Sequence, residues 1–95
     1  MVHIMARITA LPDSAAPMRS ILAELVEQSR KEDGCLQYEL FQRADAANVF
    51  QTVERWRDQG AVDAHMKGPN VASAIAQATP HFGAAPEIQT FSPVA

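Results

Sequence analysis

A single cysteine, Cys35, is all the thiol this chain holds. An intramolecular disulfide is impossible, no zinc-like spacing exists, and the usage fits a reducing compartment. No apolar run reaches the roughly 18 residues that span a bilayer. Positive charge is never gathered: Arg30-Lys31 is answered at once by Glu32-Asp33, and the formal net charge is −3. Nucleic acid and anionic membrane, which need clustered cations, are therefore not expected partners. The first residues lack a basic start followed by an apolar stretch, so they read as mature structure, and the expected location is the cytoplasm. A glycine-rich phosphate loop, a dinucleotide fingerprint, an internal repeat and a low-complexity tract are all missing. The 3 histidines have no paired ligand spacing, so no metal is expected, and Ser20 and Ser29 sit in no nucleophile motif. No cofactor is expected.

What is present is a patterned core. Hydrophobic residues make up 47% of 95 residues, which suits one domain over 1–95; a chain this small gains from burial against a partner. Residues 2–10 alternate, with Val2, Ile4, Ala6, Ile8 and Ala10 on one face. Asp13 or Ser14 can cap a helix over 14–32 whose stripe is Met18, Ile21, Leu22, Leu25 and Val26, with Gly34 as its left-handed C-terminal cap. Residues 35–42 alternate again, Leu36, Tyr38 and Leu40 on one face and Cys35, Gln37, Glu39 and Phe41 on the other. A polar connection over 43–48 leads to a strand over 49–56, with Phe50, Thr52, Glu54 and Trp56 sharing a face. Asp58 can cap a helix over 59–67, Gly68-Pro69 breaks it, a further helix spans 70–82, and a short strand over 87–92 closes the chain.

The order βαββαβ predicts an α+β, ferredoxin-like fold: a four-stranded antiparallel sheet with the helices on one face. The other face should carry Cys35, Phe41, Val49 and Val53 among polar groups, which points to a homodimer formed sheet against sheet.

Glu54, Trp56 and Tyr38 should point toward the helices, and His65 lies on a helix over that same face. A carboxylate, an indole, a phenol and an imidazole in one apolar chamber suit a flat phenolic ligand, with His65 or Glu54 as general base. The bland reading stays open beside it: His65 and Trp56 as packing residues, Glu54 paired with Arg7 or Arg57 or capping the turn at Asp58. Cys35 reads as packing, His3 as lying on the face away from the helices, and His81 as lying at the chamber rim or in solvent.

Four blocks carry a family likeness: Val2-x-Ile4-x-Ala6-Arg7-Ile8, Glu32-Asp33-Gly34-Cys35-Leu36-x-Tyr38-Glu39-Leu40, Phe50-x-x-x-Glu54-x-Trp56 and Ala64-His65-x-x-x-Pro69. In order and spacing they resemble the antibiotic biosynthesis monooxygenase domain. The resemblance implies a dimeric α/β barrel and, for one branch, oxygenation of quinols or phenols by O2 without metal or flavin. Mapped onto this chain, it makes Trp56 a pocket wall, Glu54 with His65 the polar end and Tyr38 a hydrogen-bond donor to substrate; the expected catalytic residues are His65 and Glu54, and the expected substrate-binding residues Trp56, Tyr38, Phe50 and Asn70. Asn70 stands where many relatives carry histidine, and Ala6 where some oxygenases carry asparagine. With no histidine between 70 and 80 to hold iron, a haem-degrading role is not implied. The expectation is a monooxygenase acting on a small aromatic substrate and O2; the alternatives are a non-catalytic aromatic-binding module, or an isomerase or tautomerase using His65 or Glu54.

Overall fold

The computed structural model describes residues 1–95. Its elements are β1 (Val2–Thr9), α1 (Ala15–Ser29), β2 (Cys35–Arg43), β3 (Ala46–Trp56), α2 (Gln59–Lys67), α3 (Pro69–Ala78), a 3-10 turn (Thr79–His81) and β4 (Glu87–Phe91). The strands form one antiparallel sheet in the order β2-β3-β1-β4. This is the expected ferredoxin-like arrangement, with the second crossover divided into α2 and α3 at Gly68-Pro69. No helix is long and apolar enough to cross a membrane.

Period-two alternation does what it should on β1 and β3. Ile4, Ala6 and Ile8 are buried, as are Phe50, Thr52, Glu54 and Trp56 opposite them. Helical periodicity supplies the covering layer: Met18, Leu22 and Val26 from α1, Ala61 and Val62 from α2, Val71, Ala74 and Ala78 from α3. Two apolar clusters result. One gathers Phe50, Met18 and Leu22 with Ala78; the other gathers Trp56, Tyr38 and Val26 under Ala61 and Val62. Each large apolar side chain withdrawn from water contributes about 1.5–3 kcal/mol before conformational entropy is subtracted.

The structure corrects several local expectations. The pairing of β2 with β3 slips between Cys35 and Gln37, and this bulge rotates the strand's first residues. Leu36 faces outward, 48% exposed, while Cys35 packs on the cluster around Trp56 and so does not belong to the open sheet face. Helix α1 stops at Ser29, short of 32, and Arg30–Asp33 continue as turns. Gly34 is left-handed (φ +83°) but does not cap the helix; it immediately precedes β2, and its carbonyl accepts the Arg57 N–H at 2.8 Å. Ser14 occupies the α1 N-cap position without making a cap bond, because its hydroxyl turns to His81 Nδ1 at 3.0 Å. The connection between β2 and β3 shrinks to Ala44-Asp45, since both strands extend beyond their expected ends. Asp58 caps α2 as expected, accepting the Ala61 N–H at 2.8 Å.

Gly34 is the point where conformation and packing leave no alternative residue. A Cβ there would sit 2.5 Å from the Ala61 Cβ, in a backbone region that L side chains avoid. Gly34→Ala should lower the unfolding free energy by about 1–3 kcal/mol or more, read as a lower urea midpoint at unchanged slope.

Candidate functional site

Between the two apolar clusters lies a cavity of about 90 Å³, walled by the inner faces of β1, β3 and β4 and roofed by α2 and α3. Hydrophobic residues form 13 of its 17 lining positions, and no lysine or arginine is among them. The polar atoms belong to Thr52, Glu54, His65 and Tyr38. Met66, Ile75 and Ile88 make the rim, partly exposed to solvent. The space exceeds what a water molecule needs, falls short of the roughly 150 Å³ of a known benzene-holding cavity, and opens toward solvent at that rim.

Glu54 is the cavity's buried carboxyl group. Its position on β3 places Thr52 and Trp56 two residues away on the same face, so all three side chains meet. Glu54 Oε2 accepts the Thr52 hydroxyl at 2.7 Å, and Oε1 accepts the Trp56 indole N–H at 3.0 Å. The Thr52 oxygen itself accepts the Ala6 N–H at 3.0 Å, which commits its own proton to Glu54. The ion pairs considered for Glu54 do not form. Arg7 projects from the opposite face of β1 and pairs with Glu87; Arg57 lies beyond the end of β3 and pairs with Asp33 and Asp58.

His65 is the site's imidazole. It falls one turn after Ala61 and Val62 on the buried side of α2, 3% exposed. Its ring lies against Trp56, centroids 4.5 Å apart and planes tilted 36°, and meets Tyr38 edge-on at 5.7 Å. Nδ1 lies 3.0 and 3.1 Å from the two carboxylate oxygens of Glu32. Nε2, on the other side of the ring, has no protein partner, and the imidazole lines the cavity. Glu32 Oε2 also accepts the Asn70 amide at 2.9 Å.

Glu32 is absent from the residues singled out by the sequence. It lies in the turn after α1, 33 residues before His65, and no periodicity relates a turn residue to a helix so far along the chain. Its only sequence signal is its place at the head of the Glu32-Asp33-Gly34-Cys35 block.

The other predicted residues separate. Tyr38 lines the cavity. Trp56, fully buried, stands behind His65 and Glu54 and does not reach the lining. Phe50 is packed into the cluster with Met18 and Leu22. Asn70 faces an outer groove beside Glu32, Arg57 and Gly68. His81 binds Ser14 away from the cavity lining.

Burial first and the Glu54 carboxylate second push the Tyr38 phenol well above its ordinary range, while the neighbouring Ser29 opposes weakly. Tyr38 is thus a standing hydrogen-bond donor. Burial, then Glu32 and Glu54, push the Cys35 thiol up as well, which removes it as a thiolate nucleophile at neutral pH. A phenol with a raised folded-state pKa contributes stability below the unfolded value of about 10 and loses it as pH rises further. Tyr38 is the only tyrosine. Absorbance at 295 nm should therefore show no phenolate at pH 11 while the fold persists, and phenolate should appear together with alkaline unfolding.

Comparison with known proteins follows the same lines. The model of the family described as antibiotic biosynthesis monooxygenase matches residues 1–86. The Mycobacterium tuberculosis protein named "Putative monooxygenase Rv0793" is 33% identical over 76 residues, 80% of this chain and 74% of its own length. Its solved structure superposes with a TM-score of 0.90 over 99% of this chain and 95% of that one, at 28% identity. "Putative monooxygenase YcnE" of Bacillus subtilis is 30% identical over 81% of each chain. The crystal structure of PA3566 from Pseudomonas aeruginosa gives a TM-score of 0.91 at 30% identity, covering 99% of this chain and 94% of that one. With its family blocks arranged around the Glu54–His65 cavity, this chain belongs to the antibiotic biosynthesis monooxygenase family.

Proposed function

We propose that this protein is a monooxygenase that oxidises a small quinol or phenol with O2 and draws all the electrons from that substrate. The observation that carries the reading is His65: Nδ1 is held against a carboxylate, Nε2 has no protein partner, and the ring lines a small apolar cavity. Glu54 is less suited to the base role, because both its oxygens already accept hydrogen bonds. The relatives named monooxygenases support the reaction class.

The chemistry begins with a proton. A ring hydroxyl placed at Nε2 gives its proton to His65, and Tyr38 can donate a hydrogen bond to the resulting oxyanion. The phenolate passes one electron to O2; the phenoxyl radical and superoxide then join at a ring carbon. Loss of water from the peroxide leaves a carbonyl. For a phenol with a free ring C–H the sum is phenol + O2 → quinone + H2O, in which one oxygen atom enters the ring and no outside reductant is used. Apolar walls favour the small neutral reactants and shield the radical pair from water. Trp56 holds Glu54 and the His65 ring in place from behind.

Oxygen uptake with a panel of single-ring hydroquinones, corrected for autoxidation, tests this. His65→Gln should lower kcat about 10²- to 10⁴-fold, the usual range for loss of a general base. Turnover without O2 would replace the oxygenase by an isomerase or tautomerase, and saturable binding without turnover would leave a binding module.

We further propose a cytoplasmic homodimer joined through the open sheet face, the whole of residues 1–95 acting as one domain. That face carries Phe41 and Phe91, both more than 40% exposed, and Arg55, whose Nε is buried without an acceptor. Val53→Asp at its centre should convert the dimer to monomer in sedimentation velocity; a wild-type monomer at micromolar concentration would refute the proposal.

A further inference from the structure

Resting on the base role proposed for His65, we infer that Glu32, held by Asn70, is the positioning residue that makes His65 competent as a base. The dyad is set across the wall between two unlike spaces. His65 lines the apolar cavity and not the outer groove; Glu32 and Asn70 line the groove and not the cavity. Nδ1 meets a half-wet carboxylate whose side chain is 22% exposed, which leaves Nε2 as the nitrogen available to the cavity that the ring lines.

An ionised carboxylate only accepts hydrogen bonds, so it requires a proton on the nitrogen it touches. That nitrogen is Nδ1. The neutral ring must then leave Nε2 as a lone pair on the cavity side, the form that can take a proton from a substrate hydroxyl. The opposite tautomer would present an N–H to the substrate and could not act as a base. When Nε2 gains the proton, both nitrogens carry hydrogen, and the positive ring is met by Glu32 on one side with Glu54 held beside Trp56 on the other. The proton stays on the imidazolium until Nε2 returns it to the reduced oxygen that leaves as water, so His65 ends the cycle in its starting tautomer and Glu32 is never protonated.

Asn70 completes the arrangement. Nδ1 contacts both oxygens of Glu32, and the Asn70 amide fixes Oε2 at 2.9 Å. The carboxylate would otherwise swing into the groove, because Glu32 sits in a turn with a flexible side chain. The burial of His65 and its contact with Trp56 fix the other half of the pair. Both partners are thus held by groups outside the dyad, the usual requirement for a carboxylate to select a histidine tautomer.

The experiment reads the tautomer directly. Imidazole ¹⁵N spectra are recorded at pH 8.5, above the ordinary histidine range, with His65→Gln assigning the signals. The wild type should show hydrogen on Nδ1 and none on Nε2. Glu32→Gln, whose amide can donate to Nδ1, should move the ring toward the Nε2–H form; Glu32→Asp should restore part of the Nδ1–H population. In the oxygen-uptake assay Glu32→Gln should lower kcat about 10²-fold or more with KM unchanged, and Asn70→Ala should lower it less. A wild-type ring protonated on Nε2, or a Glu32→Gln spectrum identical to wild type, would overturn the inference even if kcat fell, since lost activity alone would then reflect a merely structural tie. If Glu32→Gln melts far below wild type, the Asn70→Ala spectrum decides: a retained, rigid Nδ1–H signal indistinguishable from wild type would refute the part given to Asn70, and a mixed tautomer would uphold it. Failure of every protein to consume oxygen would sink the oxygenase reading while leaving the tautomer result standing.

Discussion

The structure depends on how β3 buries a carboxylate. Glu54 is 5% exposed among apolar neighbours, and an ionised group in such a place costs several kcal/mol unless donors meet it. Two residues of the same strand face supply them, the Thr52 hydroxyl and the Trp56 N–H. Thr52 is in turn fixed by the Ala6 amide of β1. The carboxyl group is thereby tied into the sheet itself and leaves the helices free to cover the site largely with apolar side chains.

That solution explains where the tryptophan lies. An indole that must donate to Glu54 has to turn back along its own strand, and this draws it behind His65 and away from the cavity. Its broad face then becomes a platform for the imidazole at 4.5 Å. The wall that the substrate would meet is made instead by smaller groups, Ile4, Ala6 and Ile8 from β1 and Val71, Ala74 and Ala78 from α3. Small side chains at these positions create the vacancy; larger ones would close it.

Much of this was legible because it follows from short-range periodicity. Alternation along β3 brought Phe50, Thr52, Glu54 and Trp56 to one face, and helical spacing put His65 with Ala61 and Val62. The fold class followed from the order of those elements. What escaped depends on features without a period. The bulge after Cys35 exchanges the positions of Cys35 and Leu36, and nothing in an alternating string marks where a strand will slip. Asp13 or Ser14 can cap α1 by sequence, yet His81, 67 residues away, claims the Ser14 hydroxyl. Trp56 and Phe50 were rightly placed on the inner face, but facing inward does not decide between lining a cavity and filling a core. Glu32 was hidden for the same reason as Ser14: its partner belongs to another element, and only the packed chain brings them together.

The two carboxylates show how one functional group serves two purposes. Glu54 lies inside the apolar layer with each oxygen accepting a hydrogen bond from a neutral donor, and it shapes the polarity of the cavity. Glu32 lies at the surface of the same layer, touched by an imidazole and an amide and open to water on one side. Water solvates it on one side, and contact with Nδ1 ties it to a ring that lines the dry side. Exchanging the two environments would remove the function from both. A carboxylate open to water could not sit beside an apolar ligand without drawing solvent in. The division between them depends on the wall that His65 occupies, with its Nδ1 edge on Glu32 and its ring on the cavity.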